Sequence, residues 1–310
     1  MKLIHSEDMA NNSAQNVCNF LTIDLEDWFH ILDLSGPNLM AQNRDKVPSN
    51  LEPNTEKILG LLSEHRVRAT FFILGCVAEK YPALIRKIDS FGHEIACHGY
   101  GHDLIYDLTA QQFREDLHRA KNVLEGITGK SVNGYRGPGF SITPKNLWAF
   151  DIIAEEGFCY DTTVYPGIHS HGGIPFLPSA PFTLVTLDGH SIDEFPASVL
   201  NVGRYRIAFS GGGYFRLFPF FAMTRLISSF NNEGMPVMTY LHPRDLDPQT
   251  PRLSMPLKRR FKCYVNVSRS FEKLRRLLAN HRFESVKDWQ IDRTEPLPIV
   301  ALQDLVSRQT

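Results

Sequence analysis

The sequence predicts an α/β protein: parallel strands with crossover helices in a barrel-like closure, with an inserted β-hairpin. Three observations carry that reading. Short apolar runs alternate with amphipathic runs of helical length, the order expected of parallel strands joined by crossover helices. The number of such units favours a sheet that closes on itself over an open one. Ionisable residues also collect where the strands end, the face on which such barrels build their active sites.

The elements follow in order. "NFLTIDLEDW" alternates around Leu21, Ile23 and Leu25 and reads as a strand. "EPNTEKILGLLSEH" reads as a helix, "RATFFILG" as a buried strand, "EKYPALIRKIDSFG" as a helix stopped by Gly92, and "HEIACHG" as a third strand. "TAQQFREDLHRAKNVLEGITG" is the clearest amphipathic helix, with Thr109 as N-cap and Gly129 as its close. "VNGYRGP" is a short strand, "TPKNLWAFDIIAEEG" a helix opened by Thr143-Pro144, and "FCYDTTV" a fifth strand. Between about residues 166 and 213 the pattern breaks. There "FTLVTLDGHSIDEFPAS" predicts a hairpin turning at Asp188-Gly189, in an insertion over the barrel mouth. "RLFPFFAMTRLISSFNNEG" then resumes as a helix, "PVMTYLHP" as a strand, "SRSFEKLRRLLANH" as a helix and "FESVKDW" as a last strand. The expected organisation is a polar segment over 1–17, the barrel over 18–290 and a tail over 291–310. Gly211 to Gly213 read as a tight turn, since three glycines answer backbone demands before they serve a ligand.

Composition narrows the partners. With 310 residues, 43% hydrophobic and 22% charged, the chain is globular. Its net charge of -1 gives no reason to expect nucleic acid or an anionic membrane. The first twenty residues carry acids where a signal peptide needs an apolar core, so a cytoplasmic location is expected. No transmembrane run is present; "LFPFFAMTRLISSF" is interrupted by Arg225. Cys18, Cys76, Cys97, Cys159 and Cys263 include no CxxC pair and read as buried free thiols.

A census of the strand ends is uneven. The first strand offers Asp24, Glu26 and Asp27; the third, His98 and His102; the fourth, Arg136; the fifth, Asp161; the late strand, His242. A carboxylate with two histidines is the ligand set of a catalytic divalent metal. Gly99 and Gly101 let the chain curl so that both imidazoles meet one ion. Asp24 and Glu26 share a strand face, and Asp27 joins them only if the strand has ended. Asp24 is the expected base; spacing leaves the third ligand open between Glu26 and Asp27. Arg136 is expected to hold a catalytic carboxylate, and His242 to act as general acid toward a leaving amine. Asp161, alone or sharing the task with Arg136, is expected to orient that imidazole. Trp28, Tyr100 and Tyr160 read equally as wall packing or as sugar-stacking platforms.

These residues resemble the polysaccharide deacetylases of carbohydrate esterase family 4, in the branch with a D-x-E-D first motif. "LTIDLEDW" is similar to the first motif, "HGYGH" to the metal-binding H-x-x-x-H, "YRGPGF" to the arginine motif, "YDTT" to the fourth and "YLHP" to the fifth. "DEFPAS", "SGGGYFRLFP" and "LHPRDLDPQTPR" resemble the extension of deacetylases found beside exopolysaccharide and O-antigen loci. The resemblance implies a deformed (β/α) barrel of seven to eight strands with a C-terminal extension, and one divalent metal, usually zinc, with Co2+ or Ni2+ as alternatives. It also implies hydrolysis of an N-acetyl group from an amino sugar, in a polymer or a lipid- or nucleotide-linked precursor. The usual consecutive Asp pair is absent, since Leu25 follows Asp24. The competing readings are a metal-dependent amidohydrolase acting on a small amide, favoured by a closed pocket, and a silent carbohydrate-binding protein. A wide groove with aromatic walls favours the sugar.

Overall fold

The computed structural model describes residues 17–32, 49–203, 205–252 and 256–307. Almost all of the expected N-terminal segment, residues 1–16, lies outside them. The first half follows the alternation: β1 (Asn19–Leu25), α1 (Leu51–His65), β2 (Thr70–Ile73), α2 (Gly75–Lys80), α3 (Pro82–Ser90), β3 (Glu94–Cys97), α4 (Ala110–Thr128), β4 (Gly134–Tyr135), α5 (Ala149–Glu155) and β5 (Tyr160–Asp161). Helix α4 shows why the pattern was readable. Phe113, Leu117, Ala120 and Leu124 bury one stripe, Thr109 and Gln112 form a capping box, and Gly129 closes the helix at φ +67°. Boundaries moved where proline intervened. "EKYPALIRKIDSFG" starts inside α2 and breaks at Tyr81 before Pro82, and Thr143–Trp148 form turns ahead of α5.

The second half comprises β6 (Phe182–Val185), β7 (Ser191–Glu194), β8 (Val199–Val202), β9 (Tyr205–Ala208), α6 (Gly212–Leu217), α7 (Phe220–Asn232), β10 (Met238–Leu241), α8 (Leu257–Tyr264), α9 (Val267–Asn280), β11 (Phe283–Glu284), α10 (Val286–Asp292), β12 (Ile299–Ala301) and α11 (Leu302–Ser307). The ten-stranded sheet runs β10-β1-β2-β3-β4-β5-β7-β6-β12, with β11 beside β1. All its pairs are parallel except β6–β7.

The expected α/β fold, a parallel sheet with crossover helices, is present. Among the described residues no strand pair joins β12 to β10, so the deformed barrel is open there. Edge groups of β10 are met by side chains instead: Met238 N–H donates to Ser198 Oγ (2.8 Å), and Ser210 Oγ donates to Met238 O (2.7 Å). The hairpin turning at Gly189 (φ +87°) does not lie over the mouth; β7 pairs with β5 and prolongs the sheet. Finally, "FESVKDW" is strand only at Phe283–Glu284, because Ser285 caps α10, and the expected tail adds β12 to β6.

The curled sheet has an interior of its own. Phe20, Phe72, Ala96, Tyr160, Phe195, Met238 and Val286 fill it, with Trp289 packed against them. A larger apolar layer lies between the sheet and its helices. Tyr160, whose hydroxyl donates to Glu94 Oε1 (2.8 Å), is therefore a core side chain, as is Trp28 at 4% exposure. None of the five thiols forms a disulfide, and only Cys97 is fully buried.

A pH dependence arises from this core. Buried His93 accepts the Ala69 N–H at Nδ1 (3.2 Å), and burial, aided by the Arg68 charge, pushes its pKa down to about 4. The unfolded chain binds a proton there at higher pH than the folded one, so this stability is complete at pH 7 and falls as pH drops from about 6.5 to about 4. Relative to His93→Asn, the wild type should lose about 3 kcal/mol over that window. Urea unfolding of both proteins at pH 7 and pH 4 measures it; a constant difference refutes the assignment.

Candidate active site

The ends of β1, β3, β4 and β10 bring together most of the residues singled out in the sequence. After β1 the Glu26 N–H bonds back to Asp24 O (2.9 Å), curling the chain so that both carboxylates face one mouth. Asp27 takes a different job. It is the N-cap of a 3-10 turn, its Oδ1 accepting the Trp28 N–H (2.7 Å), and it is not among the clustered donor atoms.

The loop after β3 is bent by two residues in the left-handed region, Gly99 (φ +78°) and His102 (φ +68°). A Cβ on Gly99 would meet Asp116 Oδ2 at 2.9 Å, and that carboxylate accepts the N–H groups of Tyr100 (2.8 Å) and Gly101 (3.3 Å). Asp116, on α4, thus clamps the loop that carries both imidazoles. Tyr100 turns away, its hydroxyl donating to Glu79 Oε2 (2.7 Å). None of Trp28, Tyr100 and Tyr160 lines the cleft, so all three are packing residues.

The resulting donor set fits a divalent ion. Glu26 Oε1 lies 3.1 Å from His98 Nε2 and 2.8 Å from His102 Nε2, all within 4.8 Å of one another. His98 Nδ1 donates to the backbone carbonyl of Arg136 (2.7 Å), which leaves the Nε2 lone pair directed at the cluster. Burial alone would raise the Glu26 carboxyl, but His102, by charge and hydrogen bond, and His98, by its hydrogen bond, outweigh it and hold its pKa well below the usual range. Its other oxygen accepts from Arg244 Nη1 (2.9 Å). Hard oxygen with two imidazole nitrogens suits zinc and its neighbours, with positions left for water and substrate.

Two pairs flank the cluster. Buried Arg136 donates through Nη1 to Asp24 Oδ1 (2.7 Å) and Thr22 Oγ1 (2.8 Å), and through Nε to Thr162 Oγ1 (2.8 Å), with Phe72 stacked at 4.2 Å. On the other side His242 Nε2 stands 3.9 Å from Asp24 Oδ2 and 3.7 Å from Glu26 Oε1. Its Nδ1 bonds to Asp245 Oδ2 (2.9 Å), and Asp245 is in turn paired with buried Arg216 from α6.

The partner of His242 is a correction: it is Asp245, not Asp161. Asp161 accepts from Thr163 Oγ1 (2.5 Å), which itself accepts the Gly137 N–H (2.7 Å), so it braces the loop following Arg136. Burial raises the pKa of Asp161; burial together with Asp161 raises that of Glu194, its neighbour across β5–β7. Arg216, Arg244, Asp245 and Asp116 escaped the sequence reading. The one usable signal was the polar run following His242 in "LHPRDLD".

The site opens into a cleft of about 630 Å³ whose aromatic walls include Phe140, Tyr165, Tyr214, Tyr240 and Tyr264. Gly211 explains part of its shape, because a Cβ there would lie 1.9 Å from the Tyr240 ring. The glycines expected to form a tight turn instead cap and begin α6, pressed against that ring.

Fold and site together define a parallel α/β scaffold with a cluster of potential metal ligands at its strand ends. Residues 36–150 match the polysaccharide deacetylase family model, and residues 162–290 match a domain of unknown function, DUF3473. Over residues 36–150 the chain is thus similar to the polysaccharide deacetylase domain of carbohydrate esterase family 4. Over 120 residues it is 30% identical to the peptidoglycan-N-acetylglucosamine deacetylase of Bacillus cereus, covering 35% of this chain and 44% of that one. Over 103 residues it is 48% identical to a chitooligosaccharide deacetylase of Sinorhizobium fredii, covering 32% and 44%. The chain thus spans under half the length of these curated relatives. A solved Mycobacterium smegmatis structure assigned to the polysaccharide deacetylases superposes with a TM-score of 0.59 at 20% identity, covering 91% of this chain and 94% of that one, a likeness of fold.

Proposed function

We propose that this protein is a metal-dependent deacetylase hydrolysing the N-acetyl group of an amino sugar in a surface polysaccharide or its precursor. One observation carries the reading: the Glu26, His98 and His102 donors lie between Arg136–Asp24 and His242–Asp245, inside an aromatic-walled cleft. The named deacetylase relatives and the open shape of the cleft support a sugar substrate over a small amide. The intact constellation argues against a silent binding protein.

Glu26, His98 and His102 would hold the ion, zinc by its donor chemistry; such an ion polarises the acetamide carbonyl and acidifies the attacking water. Asp24 takes the water's proton through Oδ2, the oxygen that Arg136 leaves free. Burial and then the Arg244 charge push the His242 pKa down to about 3, so its ring is neutral at rest, with the Nδ1 proton donated to Asp245. The proton it gives the leaving nitrogen is therefore taken up within the site, across the 3.9 Å separating Nε2 from Asp24 Oδ2. The amide C–N bond then breaks, releasing acetate and a free amine.

The test is acetate release by zinc-loaded protein from N-acetylated sugars offered as free oligomers, nucleotide-linked and lipid-linked forms. The His98→Ala/His102→Ala variant should lose stoichiometric zinc and all release. Release that survives in that variant, or zinc binding without release from any sugar, refutes the proposal.

A further inference from the structure

The near-zero net charge hides a local excess. Helix α8 reads LKRRFKCY, with Lys258, Arg259, Arg260 and Lys262 inside five consecutive positions. Leu257 and Phe261, four residues apart, share one stripe of the helix and stand 82% and 57% exposed. Lys258, Phe261 and Lys262 line the candidate active-site cleft, as do Ile168 and Leu217, which are 83% and 44% exposed. The cleft is thus lined in part by apolar side chains in contact with water, together with Lys258 and Lys262, for which no ion pair is found among the described residues.

A single exposed leucine needs no partner; apolar groups gathered with cations around a functional cleft do. A soluble polyanion would satisfy the lysines and leave Leu257, Phe261, Ile168 and Leu217 in water. An apolar peptide would cover those four and strand the lysines. A bilayer carrying anionic headgroups answers both demands, with acyl boundary for the apolar stripe and phosphate for the cations. No described helix is long and apolar enough to cross a membrane, so the contact would lie in the surface plane.

We infer that α8 and the exposed apolar side chains of the cleft rest on an anionic lipid surface and hold the cleft mouth against it. Given the deacetylase reading, on which this consequence rests, an acetylated sugar on a lipid-phosphate carrier reaches the site without leaving the bilayer.

The full chain is sedimented with vesicles of phosphatidylcholine alone and of equal parts phosphatidylcholine and phosphatidylglycerol. Leu257 and Arg260 do not line the cleft, so Leu257→Gln/Arg260→Gln leaves acetate release from a soluble chitooligosaccharide unchanged. The expected result is retention by the anionic vesicles only, weakened by raised salt and weakened about tenfold or more in the variant. Retention by both vesicle types, by neither, or equally by variant and wild type overturns the inference. So does capture by heparin without capture by vesicles, which would assign the surface to a polyanion. Vesicle binding needs no turnover, so failure of the docking surface and failure of the deacetylase reading are observed separately.

Discussion

Asp24→Asn should lower acetate release about a thousandfold or more while the protein keeps its full complement of zinc. The asymmetry follows from which atoms Asp24 offers. Oδ1 is engaged by Arg136, whereas Oδ2 is left free and faces His242 Nε2 across 3.9 Å, so the proposed proton acceptor and proton donor border the same space. Asparagine can keep an oxygen against Arg136, so the geometry survives and only the proton acceptor is lost. Glu26 supplies the oxygen nearest both imidazoles, so metal retention should not depend on Asp24. Zinc content by atomic absorption, read beside the rate of acetate release, separates the roles. A variant that loses zinc would show that base and ligand are exchanged, and a variant that keeps both zinc and rate would remove Asp24 from the chemistry.

The sequence carried the parts of this site that depend on local pattern. The β1 carboxylates, the His98–His102 spacing, Arg136 and His242 were readable because each stands where a strand ends, and strands and α4 announce themselves by periodicity. What escaped depends on contacts distant in sequence. Asp245 reaches His242 from three residues on, but its own partner, Arg216, comes from α6, whose start is set by glycines pressed against Tyr240. The open edge of the sheet is likewise set by distant contacts: two serine side chains meet the Met238 backbone of β10, which no hydrophobic period reports. The choice between Glu26 and Asp27 turned on a single hydrogen bond to the Trp28 N–H, below the resolution of residue spacing.

The division into two matched regions has a chemical meaning. His98, His102 and Arg136 belong to residues 36–150, whereas His242, Asp245, Arg216 and Arg244 belong to residues 162–290. Asp24 and Glu26 precede both. The second region is therefore part of the centre and not an appendage to it: it carries the proposed proton donor, the carboxylate bonded to that donor and the arginine behind the carboxylate. The aromatic walls are likewise shared, Phe140 coming from before residue 162 and Tyr165, Tyr214 and Tyr240 from after it.

Arg136→Met should abolish acetate release and lower stability by about 3–5 kcal/mol, because it strands a buried carboxylate. The guanidinium is 1% exposed and joins Thr22 and Asp24 of β1 to Thr162 beyond β5, so one side chain ties sheet elements that share no ladder. Lysine keeps the charge but cannot span those three acceptors, so Arg136→Lys should fall between methionine and wild type. The loss on Arg136→Met alone does not separate packing from charge; the Asp24→Asn background does. There Arg136 is itself a buried cation without its counterion, and replacing it by methionine removes that unfavourable charge. Arg136→Met should therefore cost markedly less in Asp24→Asn than in wild type, a coupling that urea unfolding of the four proteins measures directly. Equal costs in the two backgrounds would mean that Arg136 acts by filling space beside Phe72, and that Asp24 keeps its position without it.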